Sequence, residues 1–287
     1  MDSCTISLIL PSKNEARSLE TLLPRLRAAK PSAEILVIDD GSTDDTSAVC
    51  TSLGISVIRH PYSIGNGAAI KTGARAAKGE LLVFMDADGQ HDPGDIDRLL
   101  SALEDGYEMV VGARKSESQA SIGRSWANGV YNKLASWMVG QRIADLTSGF
   151  RIARAEKFRE FLHLLPNGFS YPTTITMAFF RAGYAVGYVP IVASKRIGTS
   201  HIQPARDGVR FLLIIFRVGT LYAPLKLFVP IAASFFVTGV GYYAYTFMTT
   251  GRFTNMSALL ISTSVLIFLI GLISEQITNL IYTRRGE

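Results

Sequence analysis

"ELLVFMDADGQHDP", residues 80–93, begins as an apolar run and ends in a knot of acids. Leu81 to Met85 have the character of a strand covered on both faces, and Asp86, Asp88 and Asp92 follow within seven positions. Carboxylates crowded at a strand end raise the cost of ionising one another, so a positive partner is expected there. A metal ion, a basic side chain or water would each serve.

The same rhythm runs through the first hundred residues. "TISLIL" (5–10), "EILVID" (34–39) and "ISVIR" (55–59) are further short runs rich in Ile, Val and Leu. Helix-like segments separate them at 15–29, 44–53 and 66–77, and another follows at 93–103. This alternation predicts an α/β domain, a mainly parallel sheet with helices on both faces. Such sheets bind ligands at the carboxyl ends of their strands. "PSKNEA" (11–16), "DDGSTDDT" (39–46) and "DADGQHDP" (86–93) should therefore open on one rim. After Val111 the pattern loosens into a strand at 109–112, a helix at 124–138, the loop "ADLTSGFR" (144–151), helices near 155–162 and 173–182, and a strand at 185–189.

The C-terminal part differs in kind. Residues 227–248 and 256–273 contain no charged side chain. As helices they would be roughly 33 Å and 27 Å long, close to the roughly 30 Å hydrocarbon thickness of a bilayer. The expected organisation is an N-terminal domain at 1–207, an interfacial amphipathic helix at 208–224 and a two-span membrane hairpin at 225–287. In "DGVRFLLIIFRVGTLYAPLK" (207–226), Phe211, Leu212, Ile214, Ile215 and Val218 form the apolar face, while Arg210, Arg217 and Lys226 snorkel. Arg210, Arg217 and Lys226 before the first span and Arg284 and Arg285 after the second face a lone Arg252 in the turn, which predicts both termini and the N-terminal domain on the cytoplasmic side. The run Ile6 to Leu10 is too short for a signal peptide. Cys4 and Cys50 lack metal-site or redox spacing and are read as structural.

The net charge of +5 hides a division: sixteen Lys or Arg lie against five Asp or Glu between Val111 and Lys226. A basic half beside a membrane suits an anionic lipid surface or a phosphorylated substrate. Nucleic acid is disfavoured, because no interleaved aromatic and basic stretch occurs.

Asp86 and Asp88 flank Ala87 and can address one ion, with the Gln90 amide oxygen nearby. Hard oxygen donors of this kind suit Mg²⁺ or Mn²⁺, which complete their shells with water and substrate phosphates. Asp92–Pro93 reads instead as a helix N-cap followed by proline. Asp39 and Asp40 end a buried strand and could accept hydrogen bonds from a base or ribose, Gly41 permitting the turn; an Asx-turn leading into a helix is the competing account. "GNGAAIKTGARAAKG" (65–79) is not a full phosphate loop, so Gly65 and Gly67 are assigned to close helix packing. His60, His91, His163 and His201 show no metal-ligand spacing, and no nucleophile elbow occurs.

Taken together, "LPSKNEA", "VIDDGSTDDT", "DADGQHDP", "GAR", "DLTSGFR" and "KRIGTSH", in this order ahead of apolar helices, resemble a family-two glycosyltransferase of the A-type fold, and most closely its polyprenyl-phosphate branch. The resemblance implies that Pro11, Asn14, Glu15, Asp39 and Asp40 hold the nucleoside of a sugar nucleotide, and that Asp86, Asp88 and Gln90 hold a divalent metal. It implies that Arg114 and Arg124 bind the acceptor phosphate with Asn128 nearby, that Ser148 and Gly149 serve the acceptor and sugar, and that Arg196 neutralises the donor diphosphate. His201 departs from the lysine that relatives commonly carry. The implied reaction is inverting transfer of one hexose, from UDP-glucose or GDP-mannose, to a polyprenyl phosphate. A processive polysaccharide synthase would be expected to carry a "QxxRW" motif and more spans; a non-catalytic scaffold would lack a metal carboxylate or a phosphate arginine. Self-association into a homo-oligomer is left open.

Overall fold

The structure, a computed structural model, describes residues 5–114, 122–168, 170–192, 216 and 219–283; for 122–128, 130, 282 and 283 it describes the backbone only. Two compact units result, Met1–Ile202 and Gln203–Glu287.

The first unit is built on seven strands: β1 (Ile6–Ser12), β2 (Glu34–Asp39), β3 (Ser56–Arg59), β4 (Leu81–Phe84), β5 (Met109–Arg114), β6 (Arg151–Arg154) and β7 (Val186–Ile191). Their order is β3-β2-β1-β4-β6-β5-β7. Every pairing is parallel except those of β6, which runs antiparallel to both β4 and β5. The helices between them are α1 (Ala16–Ala29), α2 (Thr46–Ser52), α3 (Asn66–Ala76), α4 (Asp95–Glu104), α5 (Ile122–Val139), α6 (Ala155–Glu160) and α7 (Tyr171–Arg181). The α/β expectation holds, and β6 is the one strand that the sequence pattern did not announce.

The core explains the strand pattern. Leu8, Leu10, Val37, Val83, Val110 and Ile152 lie in the sheet with at most 1 % exposure, and Leu19, Leu22, Leu23 and Leu26 of α1 cover them. These four leucines recur at i, i+3, i+4 and i+7, one stripe of a 3.6-residue helix. Each contributes about 1.5–3 kcal/mol by leaving water. Helix α3 lies unusually close because it is small-faced: a Cβ on Gly73 would collide with Ile9, and one on Gly67 with the carbonyl of Pro166. The packing role expected of Gly65 and Gly67 is thus met, both sitting against residues 166–168.

Antiparallel β6 sets the site. Its first residue, Arg151, pairs with Phe84, the last residue of β4, and with Val111 in mid-β5, and the Gly112 N–H of β5 donates to the Phe150 carbonyl just ahead of it at 2.9 Å. The "TSGF" loop that enters β6 therefore joins the rim where the parallel strands end. Helix α4 starts at Asp95, two residues later than the sequence suggests; Asp92 still accepts from the Gly94 N–H at 3.0 Å, closing an Asx-turn ahead of the helix.

The second unit is a helical hairpin, α8 (Pro224–Thr250) and α9 (Asn255–Thr283). Both helices are long and apolar enough to cross a membrane, and large side chains such as Phe236, Val237, Leu269 and Ile273 stand exposed. The hairpin closes at Gly251, left-handed at φ 66°, and Thr254 caps α9 through the Ser257 N–H. Gly239 faces Leu260 and Ile261, and Gly271 faces Phe228, which lets the two backbones approach. Helix α9 runs ten residues past 273 and brings Glu275 to the start of α8, where it accepts from the Leu225 N–H at 3.4 Å. Most of the interfacial helix expected at 208–224 lies outside the described residues.

Replacing Gly67 by Ala forces a methyl group into the Pro166 carbonyl, which is backbone and cannot swing aside. A loss of about 1–3 kcal/mol is expected, read as a lower unfolding midpoint of the purified protein.

Candidate active site

The rim begins with two loops sewn together. Asn14, left-handed at φ 56°, donates its N–H to Ser42 Oγ (2.9 Å) and accepts from the Thr43 N–H at Oδ1 (2.8 Å). Asparagine tolerates this conformation because its short amide can bond locally. The Glu15 N–H donates to Thr46 Oγ1 (3.1 Å), and the Asp40 N–H to the Ser12 carbonyl (2.8 Å). Pro11 is buried in β1 beyond the stretch paired with β4, where its missing N–H leaves no gap in that ladder.

Asp39 and Asp40 are both buried. Asp39 accepts from the Ser42 N–H (2.8 Å) and the Ser47 hydroxyl, with the Arg59 guanidinium 3.7 Å away. Asp40 takes four donors from one loop: His60 Nδ1 (2.8 Å), Ser63 Oγ (2.7 Å) and the N–H groups of Ile64 and Gly65 (2.8 Å each). Burial opposes charge on each acid, but these donors outweigh it and hold both carboxyls below the ordinary range. The two acids thus shape the backbone of residues 40–47 and 60–65. Gly41, at φ 69°, is required there, since a Cβ would sit 2.6 Å from the backbone of Tyr62 and Ser63.

Asp86 is arranged differently. Its side chain is 36 % exposed, with His91 Nε2 3.9 Å away. His91 is itself buried and stacked on Phe150 at 5.1 Å, which ties the "DADGQH" loop to the "TSGF" loop. Burial opposes ionisation of Asp86, yet His91, Arg114 and Arg151 together hold its carboxyl low. Gly149 backs it: a Cβ there would lie 2.6 Å from Asp86 Oδ2. Asp88 stands two residues on, partly exposed, accepting from the Gln90 N–H at 3.1 Å.

Beside this pair lies a basic half. Arg114 Nε donates to Asp145 Oδ2 (2.8 Å), and Nη2 donates to Asp145 Oδ1 (3.1 Å) and Thr147 Oγ1 (2.7 Å). Asp145 also receives the N–H groups of Thr147 (3.0 Å) and Ser148 (3.1 Å). Arg151 is wholly buried and donates to the carbonyls of Ser148 and Pro172 and to Thr176 Oγ1, its guanidinium 5.7 Å from the Tyr171 ring centroid. Helix α5 meets the same segment: Asn132 donates to the Ala144 carbonyl (2.9 Å) and accepts from the Leu146 N–H (3.1 Å). Positions 124, 128 and 132 fall at i, i+4 and i+8, one face of α5.

The structure therefore gathers Asp86, Asp88, Arg114, Ser148 and Gly149 on one rim, with Pro11, Asn14, Glu15, Asp39 and Asp40 along it. The side chains of Arg124 and Asn128, and all of Arg196 and His201, lie outside the described residues. Sequence reasoning missed Asp145, Arg151 and His91. The available signal was that Asp145 is one of only five acids in a basic stretch and heads an Asx-turn pattern, Asp-x-Thr-Ser. Cys50 is buried, its thiol pushed up to about 11 chiefly by burial, in keeping with a structural role; Cys4 lies outside the described residues.

Residues 7–162 match the model described as "Glycosyl transferase family 2", and residues 223–280 match "GtrB C-terminal hairpin". The chain belongs to glycosyl transferase family 2. A similar relative is the polyprenol monophosphomannose synthase of Mycolicibacterium smegmatis, 30% identical over 212 residues, 68% of this chain and 80% of that protein. The glycosyltransferase AglJ of Haloferax volcanii is 26% identical over 96% of this chain and 94% of its own. Glucosyl-3-phosphoglycerate synthase of Mycobacterium tuberculosis, solved with Mn²⁺, UDP and glucosyl-3-phosphoglycerate, shares the fold with a TM-score of 0.60 and 21% identity, over 75% of this chain and 78% of that one. As a family-2 domain followed by a GtrB-type hairpin, the chain joins a glycosyltransferase fold to two apolar helices.

Two tests follow. Gly149→Ala drives a methyl group against the Asp86 carboxylate, and product formation should fall at least about tenfold while circular dichroism stays unchanged. Asp40→Asn places an amide against donors and should cost on the order of 1–3 kcal/mol at neutral pH. Because the Asp40 pKa is depressed, its contribution is present above the unfolded value of about 3.9 and fades as pH falls through the folded value. The stability gap between parent and variant, read by denaturant midpoints, should narrow below about pH 4.

Proposed function

We propose that this enzyme transfers one hexose from a nucleotide sugar, UDP-glucose or GDP-mannose, to a polyprenyl phosphate, with inversion at the anomeric carbon. The observation that carries this reading is the adjacency on one rim of an ionised, partly exposed carboxylate (Asp86) and a tethered arginine (Arg114), in a chain that also carries a GtrB-type hairpin. The named relative acting on polyprenol monophosphate supports the acceptor class.

A divalent cation, Mg²⁺ or Mn²⁺, fits the donor set. Asp86 and Asp88 are hard oxygen ligands two positions apart, and Gln90 adds a neutral oxygen. Among the described residues no group of three or more His, Cys, Asp or Glu is placed to hold a metal by itself. Diphosphate oxygens would therefore complete the shell, which suits Mg²⁺. Bound there, the cation supplies charge neutralisation for the departing nucleoside diphosphate. The Mn²⁺ and UDP of the mycobacterial neighbour support this.

The chain's own residues do the rest. Pro11, Asn14 and Glu15 line the nucleoside side, on backbone that Asp39 and Asp40 hold in place. Arg196 meets the donor diphosphate. Arg114 and Arg124, with Asn128, take the acceptor phosphate, and Ser148 and Gly149 border the sugar. The acceptor needs no strong general base: a phosphate monoester has a second pKa of about 6 and is already an anion at neutral pH. Its oxygen forms the new bond to the anomeric carbon as the bond to the nucleoside diphosphate breaks, and alignment of these two supplies most of the rate. The charge pattern around the spans supports a cytosolic catalytic domain and cytosolic termini.

The direct test offers the purified protein UDP- and GDP-sugars with undecaprenyl or dolichyl phosphate and Mg²⁺ or Mn²⁺, and looks for a glycolipid. Product from one donor, at least about a hundredfold reduced in Asp88→Ala with the fold intact, is the expected result. Full turnover by Asp88→Ala removes the metal assignment; absence of glycolipid from every pairing removes the reaction.

A further inference from the structure

We propose that Asp145 is a positioning residue for the acceptor phosphate, holding Arg114 by one edge of its guanidinium so that the other edge is turned toward the incoming lipid anion. This rests on the reading of Arg114 given above. The pair is asymmetric in exposure. The Asp145 side chain is 6 % exposed, whereas that of Arg114 is 28 % exposed, so the acid is anchored inside and the arginine reaches outward. Asp145 engages Nε and Nη2, and Thr147 Oγ1 shares Nη2; among the described residues nothing accepts from Nη1. Arginine presents five donors in a rigid fork, and a guanidinium gripped along one edge still offers the other to phosphate.

The hold on Asp145 is equally specific. It accepts from the Thr147 and Ser148 N–H groups, so the acid is fixed by the loop that carries Ser148 and Gly149. Asn132 of α5 grips residues 144 and 146 on either side of it. Burial disfavours charge on Asp145, but the Arg114 guanidinium and these N–H donors keep the carboxyl below the ordinary range. An arginine fixed before the ligand arrives loses little freedom on binding, which tightens binding without adding a contact.

Asp145→Asn is the informative variant. Its Oδ1 can still accept from Thr147 and Ser148 and keep the turn, while the new NH₂ group opposes the Arg114 Nε–H. With full-length protein and polyprenyl phosphate in mixed micelles, Asp145→Asn should raise the acceptor KM about tenfold and leave the nucleotide-sugar KM within about twofold. Combined with Arg114→Ala, it should add nothing to the loss in kcat/KM for the acceptor that Arg114→Ala causes alone. Additive losses, or equal rises in both KM values, overturn the proposal. An effect of Arg114→Ala on the acceptor with none from Asp145→Asn overturns it while sparing the reading of Arg114. If Arg114→Ala itself leaves acceptor kinetics untouched, that reading falls and the positioning role with it.

Discussion

Carboxylates gathered at one end of a sheet repel one another, and the rim holds together because the buried ones have their own donors. Asp39 has Ser42 and Ser47, Asp40 has the 60–65 loop, and Asp145 has Arg114 and the "TSGF" turn. A buried carboxylate without such partners would take up a proton instead. Asp86 differs in kind: His91 Nε2 stands 3.9 Å off, and more than a third of its side chain is open. The fold satisfies these three buried acids and leaves Asp86 ionised and partly accessible, which is the condition for cation binding.

Much of this was legible in the sequence because parallel strands buried on both faces carry an unbroken apolar signature. β1 to β4 and the three loops behind them could be read from it. β6 could not. "RIAR" has a single large apolar residue between two arginines, and it becomes a strand only because β4 and β5 offer their edges to it; strand formation here is a tertiary effect. The site divides along the same line. Asp86 and Asp88 announce themselves by local crowding. Asp145 and Arg151 draw their meaning from partners 31 and 25 positions away, and a lone charge in a basic stretch looks like solvated surface until those partners are placed.

The hairpin shows a second limit of local reading. Counting uncharged residues ends the second span at 273, where a carboxylate at 275 looks like the water boundary. In the structure α9 continues to Thr283, and Glu275 turns toward the first N–H groups of α8. A helix start bears unsatisfied donors and a partial positive charge, so a carboxylate there is stabilised rather than exposed. Thr278 adds a bond to the Thr220 carbonyl at 3.3 Å. The same end of the hairpin thus holds its polar groups in pairs, as an apolar surrounding requires.

The division of labour between Arg114 and Asp86 follows from these pairings. Arg114 acts on Asp86 electrostatically, and a mobile guanidinium of that charge could close on the open carboxylate directly. At an effective dielectric of about 20, two opposite charges about 4 Å apart attract by about 4 kcal/mol, enough to compete with a cation for the same oxygen. A bidentate hold at 2.8 Å and 3.1 Å on Asp145 removes that option. Two opposite charges can then occupy one rim without neutralising each other.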